Sequence, residues 1–70
     1  MLRIDTMTLN QTVARLRELG IKTTEVRVGL ALQAGKYPWG IAVKGEQHWI
    51  YEIYTKLFEE WVAERAIEVA

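Results

Sequence analysis

Residues 16–28, LRELGIKTTEVRV, decide the reading of this chain. A helical run closes on Leu19-Gly20-Ile21, Lys22 and two threonines follow, and a second helical run begins. Glycine after the last apolar residue lets the backbone turn into the left-handed region where one helix ends. A threonine oxygen then accepts from the orphan amides that start the next helix. The arrangement is that of a helix-turn-helix. Two helices meeting at a glycine turn also occur in proteins that never touch nucleic acid, so the rest of the sequence has to decide between the two uses.

Upstream, Thr8 followed three residues later by Gln11 fits a capping box. Leu9, Val13, Leu16 and Gly20 step along one helical face, widened by Thr12 and Leu19. This defines a first helix over residues 9–19, with Arg15, Arg17 and Glu18 turned to solvent. Before it, Leu2-Arg3-Ile4-Asp5 alternates apolar and polar, as an edge strand or a frayed end would. Downstream, Thr23 caps a second helix over residues 24–34 that stops at Gly35. Val26, Leu30 and Gln33 share a buried face that Val28 and Leu32 adjoin, which leaves Thr24, Arg27, Ala31 and Ala34 free. Glu25 in the first turn complements the helix dipole. Gly29 costs about 1 kcal/mol relative to alanine, so it marks close packing, here of the first helix on the second.

Lys36-Tyr37-Pro38-Trp39-Gly40 ends the helical pattern. Ile41-Ala42-Val43-Lys44 and residues 48–54 then read as a β-hairpin with its tip at Gly45. Trp49, Tyr51 and Ile53 lie on one face of it, Ile50, Glu52 and Tyr54 on the other. Thr55 opens a third helix whose apolar stripe is Phe58, Trp61, Val62 and Ala66, with Glu59, Glu60 and Glu64 facing water. Trp49 and Trp61 are expected in the core. The order is (β)-α-α-β-β-α, an α+β class. It forms one domain over residues 1–70, with the helix-turn-helix at 8–34, the hairpin at 41–54 and the closing helix at 55–69.

Seventy residues lie near the lower size limit at which one apolar core holds a fold. With no cysteine and a single histidine, neither a disulfide nor a Cys/His zinc site is available, and no metal or cofactor is expected. No charged-apolar-small secretory pattern opens the sequence, and no apolar run approaches the ~20 residues that span a bilayer. A cytoplasmic protein without membrane attachment is expected. The net charge of zero hides an asymmetry. Residues 1–50 carry seven Lys or Arg against four acids, and residues 51–70 carry two against five. The basic part contains the helix-turn-helix; an ordinary mixed-charge surface is the alternative.

The chemistry on offer argues against an enzyme. There is no serine and no cysteine, and His48 sits beside the hairpin tip without an obvious carboxylate partner. Glu59 and Glu60 are adjacent on a helix and diverge, which makes a poor general acid and base pair. Residues 29–36 imitate a phosphate loop, but five residues lie between the glycines instead of four and Tyr37 stands where a magnesium-binding hydroxyl belongs.

A binding role uses the same residues better. A helix N-terminus aimed at a duplex offers free amides to phosphate, and Lys22, Thr23 and Thr24 add side-chain contacts there. Arg27 on the free face can reach guanine in the major groove. Ala31 and Ala34 let the helix lie close, with Lys36 at its far end. A hairpin carrying Lys44, Gly45, Gln47 and His48 at its tip makes a wing that reaches the neighbouring backbone or minor groove. For each of these residues simple exposure is the alternative, with Arg27 and Lys44 the strongest candidates.

These residues carry a family resemblance. Val26-Arg27-Val28-Gly29-Leu30, then Gly35-Lys36-Tyr37-Pro38-Trp39-Gly40-Ile41-Ala42-Val43, is similar to a pattern in small DNA-binding proteins of bacterial phages and integrative elements. Trp49-Ile50-Tyr51-Glu52-Ile53, with Lys56 and Phe58 after it, resembles the second strand and last helix of the same proteins. The sequence departs from that pattern at Leu16, where a small residue is usual, and by one extra residue between the second helix and Pro38. The resemblance implies a MerR-like or excisionase-like winged helix-turn-helix that binds double-stranded DNA. Its expected role is as a cofactor of site-specific recombination or a small transcription regulator. The expected partners are a recombinase or another protein, and the chain itself as a homodimer or a cooperative oligomer on DNA. The low net charge fits weak binding by a lone monomer. The rival reading is a protein-interaction module that docks a host or phage protein through the acidic third helix, with Leu57 and Ile67 exposed.

Overall fold

The computed structural model describes residues 1–69 of the chain; Ala70, the last residue of the expected domain, lies outside the described residues. Three helices and a three-stranded antiparallel sheet follow in the order β1 (Thr6–Met7), α1 (Leu9–Glu18), α2 (Glu25–Gln33), β2 (Gly40–Lys44), β3 (Trp49–Tyr54) and α3 (Thr55–Arg65). This is a small α+β arrangement, consistent with a winged-helix-like one.

Local chemistry fixes α1. Thr8 Oγ1 accepts from the Gln11 amide at 3.0 Å while Gln11 Oε1 accepts from the Thr8 amide at 2.9 Å, completing the expected capping box. Thr12 is fully buried, and its hydroxyl is satisfied by donating to the Thr8 carbonyl at 2.8 Å. The two helices of the pair end alike. Gly20 has φ +94° and Gly35 φ +70°, and in each case the next residue's amide bonds back to the helix, Ile21 to the Leu16 carbonyl and Lys36 to the Ala31 carbonyl. Both are Schellman endings, which need a residue tolerant of positive φ.

The second helix sits in a different rotation from the expected one. Val28, Gly29 and Leu32 are buried, while Val26 is 70% and Leu30 58% exposed. Gly29 meets Tyr51 of β3, not α1. The cap is also one residue later than expected. Thr24, with extended backbone, accepts from the Arg27 amide at 3.2 Å, and Thr23 is buried beneath the turn.

In the sheet, β3 is central, with β1 and β2 on its two sides. Its register pairs Lys44 with Trp49 at the hairpin end and Gly40 with Ile53 at the other. The first strand is Thr6–Met7, opposite Tyr54 and Ile53, and not Leu2–Asp5. Only two residues of β3 extend far enough to receive it before the chain turns into α3. That helix ends at Arg65, so Ala66 and Ile67, expected within it, lie beyond its end.

The core is Val13, Leu16, Val28, Leu32, Trp39, Ile53, Phe58 and Val62, drawn from all three helices, β3 and the segment before β2. Trp39 is its centre. It is fully buried, stacks on Tyr37 at 4.5 Å between ring centroids, and meets Phe58 and Trp61 edge-on at 5.0 and 5.9 Å. Such pairs add ~0.5–1.5 kcal/mol each beyond the area they bury. Trp61 packs against this core as expected, half-buried, with the Arg65 guanidinium 4.4 Å above its ring. Trp49, expected in the core, is 37% exposed near the hairpin end. Arg15 and Glu59, both expected in open solvent, meet at 3.4 Å and join α1 to α3 across a partly exposed surface.

Candidate nucleic-acid interface

The turn between α1 and α2 is braced by an arginine expected only to be solvated. Arg17, in the last turn of α1, donates from Nε to the Thr23 carbonyl at 2.9 Å. That bond folds its guanidinium over the turn, towards the start of α2. There Arg17, Lys22, Thr24 and Arg27 line an open cleft of about 450 Å³ with Gly20, Ile21 and Thr23. Arg17 escaped the sequence reading because its position off the apolar stripe signalled exposure, and only the turn's path brings it back.

Charge pairing accentuates the cluster. Among the described residues, the ion pairs engage Arg3, Arg15 and Arg65, whereas Arg17, Lys22 and Arg27 have no carboxylate partner. The nearest acids in sequence turn elsewhere: Glu18 meets Arg15 at 3.9 Å, and Glu25 Oε1 accepts from Asn10 Nδ2 of α1 at 2.8 Å. Thr24 caps the Arg27 amide, which leaves the Glu25 and Val26 amides without an intrahelical acceptor, and the helix dipole adds partial positive charge at the same end. Arg17, Lys22 and Arg27 thus border one open cleft beside the N-terminus of α2, the end of a helix that favours an anion.

The expected site residues fall into two groups. Lys22, Thr24 and Arg27 are exposed at the start of α2. Thr23 shares that location, but its 8% exposure leaves its carbonyl, held by Arg17, as its working group. Ala31 is half-buried midway along α2, and Lys36 is exposed past its far end. The second group is the hairpin end. Lys44, Gln47 and His48 are exposed there and Gly45 is half-buried, its amide donating to the His48 carbonyl at 2.9 Å. Val26 and Leu30, expected on the buried face because of their spacing with Gln33, are exposed on α2 instead.

Elsewhere, no cluster of three or more His, Asp or Glu able to hold a metal ion occurs among the described residues. No described helix is long and apolar enough to cross a membrane. Compared with family models, curated proteins and solved structures, the chain matches none of them.

Proposed function

We propose that this chain is a winged helix-turn-helix that binds duplex DNA in the cytoplasm, with α2 as the helix presented to the major groove and the β2–β3 hairpin as the wing. The observation that carries the reading is that Arg17, Lys22 and Arg27, none with a carboxylate partner among the described residues, border one open cleft beside the exposed N-terminus of α2. In this arrangement the amides and Lys22 hold a phosphate, Arg27 reaches base edges, and Lys44 with the exposed Gln47 and His48 contacts the backbone next door. The role it suits is that of an excisionase-type recombination cofactor or a small transcription regulator of a phage or mobile element. Fluorescence anisotropy on a mixed-sequence duplex between 50 and 200 mM salt tests it. About three phosphate contacts give a log–log slope near −2.7. Binding that ignores salt, or no binding at 50 mM, contradicts the proposal.

A second reading has its own support in a groove that adjoins the α2 cleft and shares Ile21 with it. Leu19 and Ile21 beside Trp61, with Ile67 and Val69 after α3, line an apolar groove of about 500 Å³. Leu57, at 44% exposure, lies outside that groove, against Ile4 and Asp5.

A further inference from the structure

The exposed ridge of α2 has an unusual composition for a surface helix. Apart from Glu25, whose carboxylate accepts from Asn10 of α1, its exposed positions are Val26, Arg27, Leu30 and Ala34, so Arg27 is the one long hydrogen-bonding side chain on a ridge with two large apolar residues and an alanine. Val26 and Leu30 are among the more exposed large apolar residues of any helix here, at 70% and 58%. Nothing in the packing of the domain requires them, because the buried side of α2 is complete with Val28, Gly29 and Leu32.

The surroundings specify what covers this ridge. Its N-terminal end adjoins the cationic cleft of Arg17, Lys22 and Arg27. A polyanion is therefore the complementary partner, and an apolar ridge bordered by unpaired cations needs a polyanion that also presents apolar groups. The major groove of DNA does so through the C5 methyl of thymine, the one apolar feature among the base edges. Resting on the DNA-binding reading above, we infer that Val26 and Leu30 are specificity residues that read thymine methyls on either side of a base contacted by Arg27. Side chains four residues apart on a helix stand about 6 Å apart along its axis, close to two base-pair steps of ~3.4 Å. The half-buried Ala31 and the small Ala34 let the helix approach closely enough for methyl contact.

The test begins by selecting duplexes from a random pool with the full chain. Enriched sites should hold a guanine with thymines within about two steps of it. Thymines of the best duplex are then replaced singly by deoxyuridine, which removes only the methyl. At each contacted position the wild type should bind about fourfold more weakly, the equivalent of ~0.8 kcal/mol per buried methyl-sized group. Leu30→Ala or Val26→Ala should abolish that sensitivity at one position each, and their exposure means that both variants fold. Wild-type indifference to deoxyuridine throughout, with binding still lost in Arg27→Ala, overturns the inference and leaves the DNA reading standing. A pool that yields no enriched sequence and no salt-sensitive binding overturns both.

Discussion

Tyr51 occupies the space that a side chain at residue 29 would need. A Cβ built on Gly29 would lie 2.8 Å from Tyr51 Oη, and that hydroxyl is held in place by accepting from Gln33 Nε2 at 2.8 Å. One glycine on α2 thus lets an aromatic ring of β3 lie flush against the helix and sets how α2 rotates on the sheet. Alanine in a helix is worth up to ~1 kcal/mol over glycine, but here it must displace the hydroxyl and break a hydrogen bond of similar worth. Gly29→Ala is expected to lower stability in urea unfolding. In a Tyr51→Phe background, with the hydroxyl gone, the same change should become neutral or stabilising. Stabilisation in both backgrounds would show that Tyr51 does not set the contact.

The start of α2 depends on Thr24, whose Oγ1 accepts from the Arg27 amide. Thr24→Ala should cost ~1 kcal/mol in chemical denaturation, and Thr24→Asp should restore most of it, since aspartate is an equally good cap. If Thr24→Ala leaves stability unchanged, the helix begins elsewhere.

Trp39 combines complete burial with an indole Nε1 that has no hydrogen-bond partner among the described residues. Burying such a group costs ~1–3 kcal/mol, which offsets part of what the ring contributes. Trp39→Ala, which loses packing with Tyr37, Phe58 and Trp61, should cost about 3–5 kcal/mol and leave a chain of this size largely unfolded. Trp39→Phe should be far milder, below about 2 kcal/mol, because it also removes the unpaired donor. Equal losses for the two substitutions, read from urea midpoints, would contradict this balance.

The contrast between local and long-range signals explains what could be read in advance. The capping box at Thr8 and Gln11, the glycine endings at Gly20 and Gly35, and the existence of the hairpin depend on neighbours close in sequence, and each is where the residues indicate, although the hairpin loop runs over residues 45–48 and the second strand starts at Trp49. The rotation of α2 was not legible, because apolar residues occur on most sides of it and the contact that selects one side is with Tyr51, more than twenty positions away. The same holds for the tryptophans. Strand alternation places Trp49, Tyr51 and Ile53 on one face, but burial fades from Ile53 through Tyr51 to Trp49 as β3 runs out past the core. Trp39, in a segment marked by Pro38 and Gly40 as a turn, takes the central place instead. For the candidate site, Lys22, Thr24 and Arg27 were legible from the turn itself, whereas Arg17 joins them only through its bond to Thr23.

Tyr54 offers a check by pH. Its hydroxyl donates to Glu52 Oε1 at 3.2 Å, and this bond, followed by partial loss of solvent and the Glu52 charge, pushes its pKa above the ordinary 10.0. The fold therefore favours the protonated phenol. Any contribution to stability is present below the ordinary pKa and is lost as pH rises through the folded-state value. Glu52→Gln should shift one tyrosine's ultraviolet titration midpoint down towards 10.0, the ordinary value. An unchanged titration curve would mean that the phenol and carboxylate do not meet in solution.

The central claim is that the α1–α2 turn presents Arg27 to DNA, and Arg27→Ala tests it most directly. Arg27 is exposed and its side chain joins no ion pair among the described residues, so the variant should keep wild-type circular dichroism and unfolding behaviour. Its affinity for a selected duplex, measured by anisotropy beside the wild type, should fall about 5- to 150-fold, matching the ~1–3 kcal/mol of a bidentate base contact. An Arg27→Ala variant that is folded and binds the same duplex as tightly as the wild type would contradict the account.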